Sequence, residues 1–131
     1  MPRINKYEII TSKKVSEMLV RNNAPIRTAT HYYQNHGNKQ FSLHEVDKNW
    51  SDVIFEEEVA KGSIIPAWDI NSMLAPAIYK GSVLMKGRKI FEVQMVDKET
   101  NELFYGCAKT MADALGICLA NSIKSYYNGE V

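Results

Sequence analysis

Few side chains in this sequence are of the kinds that do chemistry, and most of those lie in the first sixty residues. Three histidines, His31, His36 and His44, share one polar stretch. His31 and His36 stand five positions apart, which does not stack two imidazoles on one helical face. No cysteine or paired carboxylate joins them at a zinc-ligand spacing. They read as surface histidines, and no metal or other cofactor is expected. Cys107 ends a strand and Cys118 faces a helix core, so both read as packing residues rather than as nucleophiles or disulfide partners. There is no G-x-S-x-G elbow and no phosphate-cradling glycine loop leading into a helix. Glu56-Glu57-Glu58 is acidic enough for a cation or a basic partner, and a solvated acidic turn explains it as well. No catalytic residue is assigned, and the reading leans away from an enzyme.

The more suggestive residues are basic. Thr11-Ser12 offers a hydroxyl N-cap, and Val15, Met18 and Leu19 fall on one side of a short helix from Lys13 to about Arg21. Asn22-Asn23-Ala24-Pro25 ends it. The next stretch, Ile26 to Gln34, fits a second helix, while its Thr28, Thr30, Tyr32 and Tyr33 suit a strand equally well. As a helix it would complete a helix-turn-helix over residues 12–36. Lys13, Lys14, Arg21 and Arg27 would then meet phosphates, with Thr28, Thr30 and His31 at base edges. The Arg27-Thr28…Tyr32-Tyr33 run, with Gly37 four residues on, resembles the second helix of the MerR-type regulators. Beyond Gly37 the likeness ends: no basic wing follows, and the next segment is acidic. The competing reading packs Tyr32 and Tyr33 against the rest of the domain.

Composition sets the frame for these residues. The chain has 131 residues, 45% hydrophobic and 24% charged, which is ordinary for one soluble domain with its own core. A net charge of +1 argues against a globally basic nucleic-acid binder. The charge is nevertheless uneven, with +5 over residues 1–40 and −5 over residues 41–60. Such blocks are solvated faces, a partner surface, or two segments that pack together. The first residues lack the apolar stretch of a signal peptide and no run is long enough to span a bilayer, so a cytoplasmic location is expected.

The positioning elements are clearest late in the chain. Phe91, Val93 and Met95 alternate with Glu92 and Gln94 as one strand, Leu103 to Ala108 returns, and Asp97 to Asn101 makes the hairpin loop. Thr110 and Asp113 open a capping-box variant, and the helix to about Tyr127 buries Leu115, Cys118, Leu119, Ile123 and Tyr126. Ser82 to Lys86 reads as a further strand. Asp69 caps a helix to Tyr79 that Pro76 should kink. Earlier, Phe41 to His44 alternates like a small strand, and Trp50 plugs a satellite core. Val53-Ile54-Phe55 is a short apolar run before an acidic turn, and Ile64 to Trp68 is extended.

Several of these pieces occur in an order similar to that of small proteins of no known activity carried by prophages and mobile elements of gut bacteria. They are Ser12-x-x-Val15-Ser16-x-x-Leu19, Tyr32-Tyr33 before Gly37, Asn49-Trp50-Ser51-Asp52, Ile65-Pro66-Ala67, a strand pair, and Ala112-Asp113-Ala114-Leu115. Where those relatives usually continue Pro-Ala with Pro-Thr, this chain has Trp68-Asp69. The resemblance implies a mobile-element accessory protein and carries no mechanism. The last forty residues also resemble the HicB-type antitoxins in their strand, hairpin, strand and Thr-capped helix, which supports the topology alone. The expectation is a single α+β domain over residues 1–131, helical or irregular over 1–48 and an α/β core over 49–131. Its small antiparallel sheet carries the C-terminal amphipathic helix and a second helix, with an N-terminal helical segment capping the sheet or its edge. The expected function is non-catalytic binding through a protein partner or self-association, with nucleic-acid binding as the alternative.

Overall fold

A computed structural model of the chain describes residues 9–47, 49–74 and 81–129. Its elements are α1 (Lys13–Arg21), a 3-10 turn (Ile26–Thr28), β1 (His31–Asn35), β2 (Phe41–Glu45), α2 (Asp52–Lys61), β3 (Ile64–Ala67), β4 (Gly81–Gly87), β5 (Phe91–Asp97), β6 (Leu103–Ala108) and α3 (Met111–Gly129). The strands form two three-stranded antiparallel sheets, ordered β2-β1-β3 and β4-β5-β6. The fold is α+β, with one sheet more than the sequence led us to expect.

The second sheet forms as its alternation dictates. Val93 and Met95 point inward from β5 and are fully buried. They stand opposite Met85 and Val83 on β4, and opposite Gly106 and Phe104 on β6. Ala112, Ala114, Leu115, Cys118 and Leu119 of α3 close over this face, and Ile123 packs against the same core. The side chain of Tyr126 lies outside the described residues. Gly106 is where the helix comes closest. A Cβ there would stand 2.7 Å from the Cys118 backbone nitrogen and nearer still to the Ala114 carbonyl oxygen, so only a glycine fits without moving backbone. The hairpin loop is built as expected. Asp97 accepts from the Glu99 and Thr100 amides, and Asn101 takes a φ of 60°.

The first sheet is where expectation and structure part. Residues 26–28 are a single 3-10 turn and residues 31–35 are the central strand, so the second helix of a helix-turn-helix is not formed. Pro25 precedes the turn, the Thr28 hydroxyl donates back to the Pro25 carbonyl and accepts the Trp68 indole N–H, and the Thr30 hydroxyl accepts the Asp69 amide just before the strand. Within the part expected to be helical or irregular, residues 31–35 and 41–45 supply two strands of the sheet. Tyr33 faces Leu43 and Ile65 across the ladder and packs with Ile10 and Ala67 in a small core of its own. The apolar run Val53-Ile54-Phe55 and the acidic turn after it are one helix, Asp52–Lys61, capped by Ser51 and stopped by Gly62 at a φ of 77°. It buries only Phe55. Asp69 accepts the Ser72 amide and residues 70–74 are helical, with Met73 buried. The remainder of that expected helix, with Pro76, lies outside the described residues.

The two sheets meet through α1, which lies against α3 and against β3, an edge strand of the first sheet. Val15, Ser16 and Leu19 are its buried side, and Val15 Cγ1 occupies the space above Gly116 of α3. Thr11 is the pin. Its amide donates to the Trp68 carbonyl, its hydroxyl accepts from the Trp68 amide, and its carbonyl accepts from the Tyr33 hydroxyl. The Ser16 hydroxyl lies 2.8 Å from that of Thr11. Next to it the Ser12 amide donates to Asp113 at 2.7 Å, so this carboxylate ties the halves together instead of closing a capping box with Thr110.

Candidate functional site

The residues expected to meet nucleic acid stand on different elements: Lys13, Lys14 and Arg21 on α1, Arg27 and Thr28 in the 3-10 turn, Thr30 just before β1 and His31 at its start. Lys13 pairs with Glu17 at 3.4 Å and lies over the Phe41 ring at 4.2 Å. Lys14 and Arg21 are exposed on α1, two turns apart. Arg27 is held at 2.8 Å by Glu56 and also pairs with Asp52, so the basic block meets the acidic block at this side chain. The hydrogen bond to Glu56, with the charge of that carboxylate, raises its pKa. Thr28 accepts the Trp68 indole N–H, and Thr30 accepts the Asp69 amide and bonds His31 Nδ1. Both hydroxyls are structural pins. Arg27 thus ties the turn to α2, and Thr28 and Thr30 tie the turn and the start of β1 to Trp68 and Asp69.

Two surfaces carry what the fold does not use. The first is the outer face of β4-β5-β6. On this side Ser82, Val96 and Leu103 stand in one row, Leu84, Gln94 and Tyr105 in the next, and Lys86, Glu92 and Cys107 in the third. Leu84 is 55% exposed and Leu103 61%, with Val96 and Tyr105 also open. Lys86 pairs with Glu92 at 3.6 Å, and the Tyr105 hydroxyl donates to Glu92 at 3.0 Å. Donating to a carboxylate, with Cys107 alongside, pushes the Tyr105 phenol up to about 12. Cys107 is exposed here and not a core residue, whereas burial pushes the Cys118 thiol up to about 11. The sequence held a signal for this face. Leu103-Phe104-Tyr105-Gly106-Cys107-Ala108 has no charged side chain in either phase of its alternation, the pattern of a strand covered on both sides.

The second is the solvent side of β1-β2. Here His36 Nε2 and His44 Nε2 each lie 2.6 Å from the Ser42 hydroxyl. The single hydroxyl proton goes to one imidazole while the oxygen accepts from the other. The His44 ring stacks on Tyr32 at 5.5 Å, Tyr32 on Trp50 at 5.2 Å, and Trp50 tilts onto Phe55 at 6.3 Å. Trp50, expected to plug a satellite core, is half-buried in this aromatic row and not in the small core around Tyr33. Neighbours in sequence could not show that His36 and His44 converge, because the register Gln34↔Ser42 and Tyr32↔His44 brings them together. His31 is on the opposite face of the sheet, opposite Glu45. Among the described residues no group of three or more His, Cys, Asp or Glu could hold a metal, and no helix is long and apolar enough to cross a membrane. No protein-family model, curated protein or solved structure matches the chain.

Proposed function

We propose that this chain is a non-catalytic binding protein that works through protein contacts, with the outer face of β4-β5-β6 as its working surface. A mobile-element accessory role is the context that fits the sequence resemblance. One observation carries the reading: a strand apolar in both phases lies in a sheet that a helix covers on one side alone, leaving Leu84, Val96, Leu103 and Tyr105 in solvent. At strand rise and spacing, the face spans about 20 Å by 14 Å, or roughly 300 Å². A stable interface buries about 800 Å² per partner, so this face alone supports a weak or transient association.

A second copy is the simplest occupant. The net charge of +1 gives little repulsion between copies, and Lys86 beside Glu92 offers both signs for reciprocal pairing about a two-fold axis. Sedimentation over a wide concentration range tests it. Self-association is expected in the wild type and should be lost in Leu84→Lys and Leu103→Lys, whose exposed positions leave the fold intact. A wild type that stays monomeric, and retains no protein that the two variants fail to retain, would remove the basis of the proposal.

A further inference from the structure

The geometry points to a surface site for a first-row divalent metal ion, of the Zn²⁺ or Cu²⁺ class, held by the Nε2 atoms of His36 and His44. It rests on the solvent face of the first sheet and does not depend on the binding surface proposed for the second.

Two imidazole nitrogens aimed at one point are the donor set such ions select. Both lie 2.6 Å from the Ser42 oxygen. They are therefore at most about 5 Å apart, and a tetrahedral ion with Zn–N of about 2.0–2.1 Å needs them about 3.3 Å apart. Rotation of the Ser42 hydroxyl out of the gap, with small χ changes in two exposed rings, covers that difference. Each ring would then present its Nε2 lone pair to the ion and keep its proton on Nδ1. Ser42 is a place-holder between the rings rather than a required ligand.

The carriers of the two rings are built to hold them. His44 lies on a paired strand and is stacked on Tyr32, which is itself backed by Trp50. His36 sits at the mouth of a tightly specified turn. Its amide donates to the Gln40 carbonyl at 2.9 Å, the Gly37 amide donates to the Asn35 side chain at 2.8 Å, and Gly37, Asn38 and Lys39 all have positive φ. Two consecutive non-glycine residues in the left-handed region are an uncommon local arrangement. With no third His, Cys, Asp or Glu ligand among the described residues, water completes the shell, and the ion is exchangeable and open to a further ligand.

The test is titration of the tag-free full chain with ZnCl₂ alone, by calorimetry and by the imidazole proton resonances. One ion per chain is expected, with the His36 and His44 resonances moving and those of His31 still. His36→Gln should weaken binding by more than about tenfold, the loss found when even an outer partner of a metal ligand is removed. His44→Phe should do the same while keeping the ring stacked on Tyr32, which separates loss of a ligand from loss of the fold. Ser42→Ala and His31→Gln should bind as the wild type does. Absence of saturable binding would overturn the site, as would unchanged affinity in either His36→Gln or His44→Phe.

Discussion

Replacing Gly106 by alanine should destabilise the protein, although the same exchange in an ordinary strand gains about 0.5–1 kcal/mol. The added Cβ would lie 2.7 Å from the Cys118 backbone nitrogen and closer to the Ala114 carbonyl oxygen, both in the backbone of α3. Neither atom can turn aside as a side chain can. Relief requires the helix to lift by about 1 Å, and a gap of that size forfeits a quarter to a half of the dispersion attraction of the atoms lining it. Those atoms belong to Ala114, Leu115 and Cys118 on one side and Val93 and Met95 on the other, all of them fully buried. Overpacking usually costs about 1–3 kcal/mol. Because a helix moves rather than a side chain, a loss of about 3 kcal/mol is expected, at the upper end of that range. Urea unfolding followed by circular dichroism should show the midpoint falling by about 1.5 M at an m-value near 2 kcal/mol/M. Gly37→Ala is the control: it has a φ of 84° but open space around it, so only backbone strain is added. A Gly106→Ala midpoint equal to or above that of the wild type would refute the close approach.

Thr11→Val keeps the shape of a fully buried side chain and strips the hydroxyl that serves the Trp68 amide and Ser16. Leaving those groups unpaired should cost about 2–4 kcal/mol in urea unfolding, with Thr11→Val/Ser16→Ala less costly than the sum of the single changes. Additive losses would show that the two hydroxyls do not interact. Alkylation of the native protein followed by peptide mapping should label Cys107, which is exposed, and spare Cys118, whose thiol is buried and raised to about 11. Equal labelling of both before unfolding would contradict the packing of α3.

The late half of the fold was legible because each of its rules acts locally. Phe91, Val93 and Met95 alternate, Asp97 and Asn101 mark the turn, and Thr110 caps the last helix, all within a few residues of what they control. The early half answers to distant groups. Tyr33 is in a strand because β2 and β3 flank it, and Thr30 is extended because its hydroxyl receives the Asp69 amide from 39 positions away. No window of sequence holds both ends of such a bond. The convergence of His36 and His44 was hidden for the same reason, since it follows from strand register. The open sheet face was hidden by ambiguity instead. When both phases of β6 are free of charge, alternation does not say which one turns inward.

The seam at Thr11 and Ser12 also sets an order of events in time. Strands β4 to β6 and α3 are consecutive, joined by short connections, and close with little loss of chain entropy. The bond from the Ser12 amide to Asp113 spans 101 positions, so it forms against a large loop-closure cost. Residues 81–129 should therefore assemble early, and the first sheet with α1 should dock onto them later. In native-state hydrogen exchange the amides of Val93 and Met95 should then open only with the whole molecule, while that of Thr11 exchanges at lower free energy through a partial opening of the seam.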